Sequence, residues 1–382
     1  MTATSGTYDV AVVGLGAMGT AAAFHLASRG TKVLGLERFG LAHDRGSAHG
    51  ETRLIRKAYF ESPAYVPLLE RSYTLWDELG ERVKETLFSR SGLVLLGRDG
   101  AKTTRARDVA ATHGIPVETL SARDVHRRFP PIHVGDDVTG LFEPDAGYLA
   151  VEACVRAHAN LATSFGADLR WNEPLREWSA EKGTIRLVTE TGTYEAKRLV
   201  LAAGAWSGDV LRSLGLPLRV ARVVQHWFYA GPEFEGEAGM PSYAFDMDGT
   251  FVYGFPRIGG AIKVAEHASH DTVPHADVVV REVRPSESAI VSRFVATYLP
   301  TADAGPHRSK TCLYTMTPDE HFVVDLHPDV PGVTFAAGFS GHGFKFASVM
   351  GEILADLALD GRTPTRRFPF FRTFREDSGV PP

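Results

Sequence analysis

The fold is decided by residues 8–37, which read YDVAVVGLGAMGTAAAFHLASRGTKVLGLE. The apolar run 8–13 predicts a β-strand, and the alanine-rich run 17–28 predicts a helix. A second apolar run, 32–36, predicts another strand. A strand, a helix and a strand in this order form a βαβ unit, the element from which parallel sheets are built.

The turn between the first strand and the helix carries a dinucleotide-binding fingerprint. Gly14 allows a tight turn, Gly16 lets backbone N–H groups approach a pyrophosphate, and Gly19 lets the helix pack closely on the strand. Glu37, after the second strand, is placed to accept hydrogen bonds from a ribose, and Arg38 beside it is a further candidate for cofactor contact. The fingerprint suits NAD and FAD equally, and a glycine turn without a nucleotide is the alternative.

A second glycine turn lies near the end of the chain, where residues 338–346 read GFSGHGFKF. The apolar run 333–337 predicts a strand before this turn, and residues 347–357 have helical spacing after it. Gly338, Gly341 and Gly343 would let the backbone approach a flat or anionic group, and the helix N-terminus and Lys345 add positive charge there. The two turns together predict a redox cofactor held from both ends.

Composition narrows the classes of partner. The chain has 382 residues and a mass of 41.5 kDa, is 44% hydrophobic and 23% charged, and carries a formal net charge of -5. These values are typical of a globular protein with two domains, and they favour a small-molecule partner over nucleic acid or a membrane. Two cysteines cannot form a disulfide framework. No targeting segment, membrane span or metal site is predicted, and a cytoplasmic location is expected.

The remaining pattern predicts an α/β protein with an α+β second domain. Helices are expected at 65–79, 106–113, 121–129, 151–165 and 285–299, and residues 39–52 are expected to form a loop. The fold class follows as a discontinuous Rossmann-like nucleotide-binding domain joined to a substrate domain with a mixed antiparallel sheet. The first domain is expected to comprise residues 1–85, 145–215 and 310–382, and the second residues 86–144 and 216–309.

Several further segments resemble one known family. Residues 198–204 resemble the second strand-and-glycine motif of FAD enzymes, which ends here at Gly204. Residues 45–56 and 310–315, with the second glycine turn, resemble the monomeric sarcosine oxidase and N-methyltryptophan oxidase family of the D-amino acid oxidase-like superfamily. The resemblance extends from residue 8 to about residue 357. Other matching positions are residues 253–256, Lys263, His267 and residues 319–321.

The resemblance implies a flavoprotein in which a cysteine sulfur is joined to the 8-methyl group of FAD. Cys312 stands at the matching position, whereas Cys154 lies on the apolar face of a predicted helix and is expected in the core. Without the resemblance, Cys312 would be interpreted as a buried strand cysteine. The implied reaction is oxidative demethylation of an N-methyl amino acid such as sarcosine by oxygen, which yields an amino acid, formaldehyde and hydrogen peroxide. The family also implies a monomer.

The resemblance assigns the carboxylate-binding pair to Arg56 and Lys345. A planar guanidinium and an ammonium would hold the carboxylate of the amino acid and place the reacting carbon. Two surface cations in salt bridges are the alternative. The matching residues of the cofactor arm are His49, Thr52 and Arg53. Arg53 would face the isoalloxazine ring and is also assigned to catalysis.

Four more residues are assigned to catalysis or to the substrate pocket. Lys263 matches the family position that activates oxygen, where a fixed positive charge would stabilise superoxide. His267, Tyr253 and Tyr314 match the lining of the substrate pocket, and a histidine there could help keep the amine neutral. A solvent-facing lysine and a packed histidine are the alternatives.

Two positions depart from the family pattern. Ala244 stands where we expect a methionine beside the substrate, which would enlarge the pocket, and Ala48 replaces a second histidine next to His49. The substrate could therefore be sarcosine, N-methyltryptophan, proline, pipecolate or glycine. The competing hypotheses are a non-covalent FAD oxidase or dehydrogenase of such an amino acid, an NAD-dependent dehydrogenase, and a non-enzymatic nucleotide-binding module.

Overall fold

The computed structural model describes residues 4–98, 101–247, 249–267 and 271–364. Its α-helices are α1 (Ala17–Ser28), α2 (Val66–Val83), α3 (Ala101–His113), α4 (Ala122–Arg128), α5 (Val151–Ser164), α6 (Ser207–Val210), α7 (Pro285–Tyr298) and α8 (Ala347–Asp360). The helices predicted from the sequence are confirmed, with ends that differ by up to five residues. No helix in the described ranges has the length and apolarity that crossing a bilayer requires.

Twenty strands lie in the described ranges. They are β1 (Thr4–Val13), β2 (Val33–Leu36), β3 (Thr52–Ile55), β4 (Phe88–Ser89), β5 (Leu93–Gly97), β6 (Glu118–Ser121), β7 (Thr139–Glu143), β8 (Gly147–Ala150), β9 (Asp168–Arg170), β10 (Glu177–Glu181), β11 (Thr184–Val188), β12 (Thr193–Leu201), β13 (Arg219–Tyr229), β14 (Ser242–Met247), β15 (Thr250–Gly254), β16 (Ala261–Glu266), β17 (Asp271–Val273), β18 (Arg308–Met316), β19 (Val323–Leu326) and β20 (Val333–Ala337).

The first sheet has a parallel core in the order β20, β12, β1, β2 and β9. Its β1 strand is apolar on both faces. Val10 and Val12 pack on the side of α1 and α8, while Ala11 and Val13 pack in a second core on the opposite face. A strand that is buried on both faces has no polar alternation, which explains the continuous apolar run in the sequence. The predicted Rossmann-like α/β fold is confirmed.

The second sheet is mostly antiparallel and runs in the order β17, β13, β16, β15, β14, β5, β7 and β6. The remaining strand, β18, pairs along its whole length with residues 219–227 of β13. The sequence-based division placed residues 310–316 in the nucleotide-binding domain, but β18 belongs to the second sheet. The pairing partner of β18 lies about ninety residues earlier in the chain, so the local pattern could not indicate it. The division into two domains stays a prediction, with its last boundary moved beyond β18.

A small third sheet has the strand order β3, β8 and β4. In it, β3 pairs with β8 in antiparallel register, with Thr52 opposite Ala150 and Ile55 opposite Gly147. The sequence analysis predicted a loop up to residue 52 and no strand after it. Four residues whose partner is almost a hundred positions away carry too weak a local pattern to predict a strand. The strand fixes the segment that leads into Arg56.

Candidate active site

A cavity of about 250 Å³ lies at the carboxyl ends of β1, β2, β12 and β20. In parallel α/β sheets, ligands bind at this edge because the loops that follow the strands converge there. Several predicted cofactor residues line the cavity, namely Gly14, Gly16, Glu37, Arg38, Arg53, Gly204, Gly338, Gly341 and Gly343. Residues from the start, middle and end of the chain thus meet in one cavity.

At one end of the cavity, the fingerprint glycines serve distinct steric needs. Gly14 has φ of +86°, and a Cβ at Gly19 would meet the carbonyl oxygen of Gly14 at 1.8 Å. A Cβ at Gly16 would meet no protein atom within 4 Å, so this position faces open space. Glu37 accepts hydrogen bonds from the N–H groups of Leu15 (2.8 Å) and Phe39 (2.9 Å). Its carboxylate therefore holds the glycine loop in place beside the cavity.

At the other end, the second glycine turn packs tightly against side chains. Gly338 and Gly341 have φ of +66° and +80°, and a Cβ at Gly341 would lie 2.5 Å from the Tyr314 ring and 2.9 Å from that of His267. The turn is followed by a 3₁₀ turn, Phe344–Phe346, and then by α8. Only glycine therefore fits at residue 341 without moving these two rings.

The arm formed by residues 49–53 surrounds Lys263. The Lys263 ammonium is buried and donates to the carbonyl oxygens of Gly50 (2.7 Å) and Thr52 (2.5 Å). Burial, together with the nearby Arg53, lowers the pKa of Lys263 well below its usual value. Burial and Arg53 also lower the pKa of His49 to about 3, which makes that ring neutral. Lys263, His49 and Thr52 are not among the residues that line either cavity.

Cys312 lies on β18 directly beside this arm. Its side chain is completely buried, and its sulfur accepts a hydrogen bond from Nη2 of Arg53 at 3.4 Å. The same Nη2 donates to the carbonyl oxygen of Ser47 (2.9 Å). Ser47, Arg53 and the next two residues of β18, Leu313 and Tyr314, line the cavity, so the sulfur lies one residue away from its wall.

A smaller cavity of about 60 Å³ adjoins the first, and the two share Arg53, Gly341 and Phe344 as lining residues. Both members of the predicted carboxylate-binding pair line it. The Lys345 ammonium donates to the carbonyl oxygen of His342 (2.8 Å), and burial lowers its pKa to about 7, although Glu61 opposes that shift.

The guanidinium of Arg56 is buried and already binds a carboxylate. Its Nη2 donates to both carboxylate oxygens of Glu61, at 2.8 and 2.7 Å, and its Nη1 donates to the carbonyl oxygen of Ala58 at 2.8 Å. Burial favours the protonated form of Glu61, but Arg56, His342 and Lys345 together outweigh it and hold the pKa of Glu61 below its usual value. The guanidinium of Arg56 is thus held at the cavity wall with its N–H groups directed at a carboxylate, that of Glu61.

Both cations share one aromatic neighbour. Cζ of Arg56 lies 4.6 Å and Nζ of Lys345 lies 5.1 Å from the centroid of the buried Tyr59 ring. The Tyr59 hydroxyl is 2.5 Å from Nδ1 of His342, whose Nε2 is 2.9 Å from the carbonyl oxygen of Glu320. Because a carbonyl only accepts, Nε2 carries the proton and Nδ1 accepts from the tyrosine. The two cation–π contacts, together with the hydrogen bonds that hold the Tyr59 ring, fix the distance between the two cations.

Aromatic residues form the opposite wall of the smaller cavity. Tyr253 and His267 line it, and Nδ1 of His267 lies 3.2 Å from the hydroxyl of Tyr314, which lines the larger cavity. Burial lowers the pKa of His267 to about 4, so its ring is neutral near pH 7. Because this imidazole is neutral, the net charge of the cavity comes from Arg56, Lys345 and Glu61.

The structure also departs from the sequence-based site. Ala244 is buried within β14 opposite Tyr253, and it is not among the lining residues of either cavity. Sequence reasoning missed Glu61, His342 and Phe251, all of which line the smaller cavity. An acidic residue five positions after Arg56 was the available signal for Glu61, and His342 stood unassigned within the second glycine turn.

The fold and the larger cavity define a dinucleotide-binding protein, and a smaller cavity lined by Arg56 and Lys345 adjoins the first. The chain belongs to the DAO family of FAD dependent oxidoreductases, whose family model matches residues 9–357. This membership confirms the resemblance to the D-amino acid oxidase-like superfamily. It also rules out the NAD-dependent dehydrogenase, which the fingerprint alone left open. The protein is therefore a flavin-dependent oxidoreductase.

The relatives of the chain cover nearly its full length. It is 43% identical over 368 residues to a monomeric sarcosine oxidase from Streptomyces avermitilis, covering 94% of this chain and 95% of the relative. It is 35% identical to an N-methyl-L-tryptophan oxidase from Escherichia coli, covering 95% and 98% of the two chains. The solved structure of NikD, described as an unusual amino acid oxidase essential for nikkomycin biosynthesis, matches with a TM-score of 0.85 at 26% identity, covering 94% of this chain and 96% of NikD.

The residues present fit FAD. The open space in front of Gly16, at the N-terminus of α1, provides a place where backbone N–H groups and the helix dipole can meet a pyrophosphate. The cavity then continues past Gly204 to Arg53 and Gly341, at the wall of the smaller cavity.

We expect Gly16→Ser to weaken FAD binding without destabilising the apoprotein. Serine is a good N-cap residue, and its Cβ would meet no protein atom, but it would occupy the space in front of the helix N-terminus. Loss of one charge-assisted hydrogen bond, worth roughly 1.5–3 kcal/mol, corresponds to an affinity lower by about tenfold or more. Reconstitution of apoprotein with FAD measures this effect, and Gly40→Ser, which also faces open space, is the control. Equal FAD affinity in both variants would contradict the assignment of Gly16.

Proposed function

We propose that the protein is an FAD-dependent oxidase of small secondary amino acids, of which sarcosine is the model. The observation that carries the proposal is the pair Arg56 and Lys345, which lines a small cavity directly beside the predicted cofactor cavity. Relatives at 43% and 35% identity are named sarcosine oxidase and N-methyl-L-tryptophan oxidase, which supports this substrate class. The balanced reaction converts an N-methyl amino acid, oxygen and water into the amino acid, formaldehyde and hydrogen peroxide.

Arg56 and Lys345 are proposed to bind the substrate carboxylate. Glu61 already occupies the Arg56 fork, so we infer that a substrate carboxylate competes with Glu61 for the guanidinium. Binding at one end fixes the remaining atoms of a short substrate towards Arg53 and Gly341, where the cavities meet. The substrate amine reacts only with a free lone pair. The ring of His267 is neutral and adds no positive charge beside the amine.

When bound, FAD supplies the two-electron chemistry, since it accepts a hydride equivalent from the carbon beside the amine and delivers the electrons to oxygen. Lys263 is proposed to assist the oxygen step. Its ammonium is held by two carbonyl oxygens, and burial disfavours its charge. A negative charge that develops nearby would offset that penalty, so Lys263 stabilises an anion most strongly when one forms.

Two further features are proposed for the whole protein. A monomer is supported by the relative named monomeric sarcosine oxidase. A cytoplasmic location is supported by the two cysteines, Cys154 and Cys312, which are both unpaired and buried.

The substrate proposal is tested by a peroxide assay with sarcosine, N-methylalanine, N-methyltryptophan, proline and pipecolate. We expect peroxide with at least one of them, and none with dimethylamine, which has no carboxylate. In Arg56→Met, kcat/KM for the preferred substrate should fall by about two orders of magnitude, since a buried charged hydrogen-bonded contact is worth roughly 2–5 kcal/mol. Peroxide from none of the five amino acids would contradict the proposed function.

Attachment of FAD through Cys312 is tested by acid precipitation. The yellow colour should stay with the wild-type polypeptide and move to the supernatant in Cys312→Ala, because the thioether sulfur is removed. Cys154→Ala removes the other buried cysteine, on α5, and should keep the colour in the pellet. Colour that remains attached in Cys312→Ala would contradict the assignment.

The lowered pKa of Lys345 predicts a pH-dependent affinity for carboxylates. Its ammonium is protonated below about pH 7 and loses its proton above, so binding an anion above pH 7 requires proton uptake. We expect the Kd of methoxyacetate, which has a carboxylate but no amine, to rise above pH 7 by up to about tenfold per pH unit. Titration calorimetry between pH 6 and 9 measures this dependence.

Lys345→Met should bind methoxyacetate more weakly and lose the pH dependence. Lys102→Met is the matched control, because Lys102 lies 5.1 Å from the Phe251 ring of the cavity wall but pairs with Asp246. A slope that persists in Lys345→Met would show that another group is responsible.

A further inference from the structure

We propose that Glu143 is a positioning residue for the carboxylate-binding pair, Arg56 and Lys345. It acts by fixing the backbone segment that holds Arg56. The inference rests on the proposed role of Arg56 in substrate binding. Glu143 lines neither cavity, and it is the last residue of β7 in the second sheet.

The carboxylate of Glu143 binds two successive backbone N–H groups. Oε1 accepts from Lys57 at 2.7 Å and Oε2 accepts from Ala58 at 3.0 Å, and the residue is only 3% exposed. A carboxylate can accept with both oxygens, whereas an amide side chain would turn an N–H₂ group towards one of these donors. The arrangement therefore needs a carboxylate rather than a polar side chain of similar shape.

The segment held by Glu143 supplies the contacts of Arg56. The carbonyl oxygen of Ala58 accepts from Nη1 of Arg56 at 2.8 Å, and the next residue, Tyr59, places its ring 4.6 Å from Cζ of Arg56. The same ring contacts Lys345. A shift of residues 57–59 would therefore displace both cations, and a misplacement of about 1 Å is costly for a bidentate contact.

Glu143 also lies close in sequence to the strand pair that leads into Arg56. It precedes the turn into β8, which pairs with β3 up to Ile55, the residue before Arg56. Arg56 is thus fixed from behind by the β3–β8 ladder and from ahead by Glu143. Burial raises the pKa of Glu143 even with these two donors, so the carboxylate is held here at a cost in free energy.

A second acidic residue of the same turn provides a matched control. Asp145 binds Lys57 through its side chain, at 2.5 Å from Nζ, and is partly exposed. Both acids hold Lys57, but only Glu143 binds the backbone beside Arg56. Asp145→Asn should therefore leave carboxylate affinity within about twofold of the wild type, as expected for a surface ion pair.

The test measures the Kd of methoxyacetate by titration calorimetry for the holoenzyme and for Glu143→Gln, Arg56→Met and the double variant. We expect Glu143→Gln to raise Kd about tenfold, as for loss of a hydrogen bond to a charged group, with a much smaller change in the Arg56→Met background. That coupling is the readout that a merely structural role would not produce. If Glu143→Gln does not accumulate as holoenzyme, Glu143→Asp replaces it in the same cycle, with the same expected coupling.

The other possible results separate the role of Glu143 from that of Arg56. Wild-type affinity in the Glu143 variant, or an equal loss in both backgrounds, overturns the positioning role while leaving the role of Arg56 intact. Wild-type affinity in Arg56→Met overturns the proposed function of Arg56 itself, and with it this inference.

Discussion

The active site depends on the burial of three basic side chains, and that burial lowers the pKa of two of them, Lys263 and Lys345. Arg56, Lys263 and Lys345 are all nearly fully buried, and each donates to main-chain carbonyl oxygens of a neighbouring turn. A buried cation without partners costs several kcal/mol, so these carbonyls must be held rigidly in place. The third sheet and the glycine turns provide this rigidity, because they fix the backbone from which the carbonyls point.

The same backbone turns also bring the two cavities together. The carboxyl ends of β1, β2, β12 and β20 converge on the larger cavity, and the turn after β20 continues into the smaller one through Gly341. A single short segment, residues 338–345, therefore contacts the predicted cofactor position, supplies Lys345 and contributes His342. Glycine is required at residue 341 of this segment because two rings leave no space for a Cβ.

Much of the site could be predicted because its residues stand in short motifs or at positions that match a family. Gly14, Gly16, Arg56 and Lys345 are of this kind, and they line the cavities where the sequence suggested. Glu61 could not be predicted with equal force, since its role depends on the approach of its carboxylate to Arg56. Ala244 shows the limit of such matching, because this position lies within β14 and is not among the residues that line the smaller cavity.

The sequence by itself determined the βαβ unit, the glycine turns, the helices and the family, because periodicity, glycine spacing and motif order are local properties of the chain. Only the tertiary structure decided which carbonyls bind Lys263, that β18 joins the second sheet, and that Glu143 binds the segment after Arg56. Those contacts join residues tens to hundreds of positions apart. They depend on side-chain direction and burial, for which a linear pattern carries no signal.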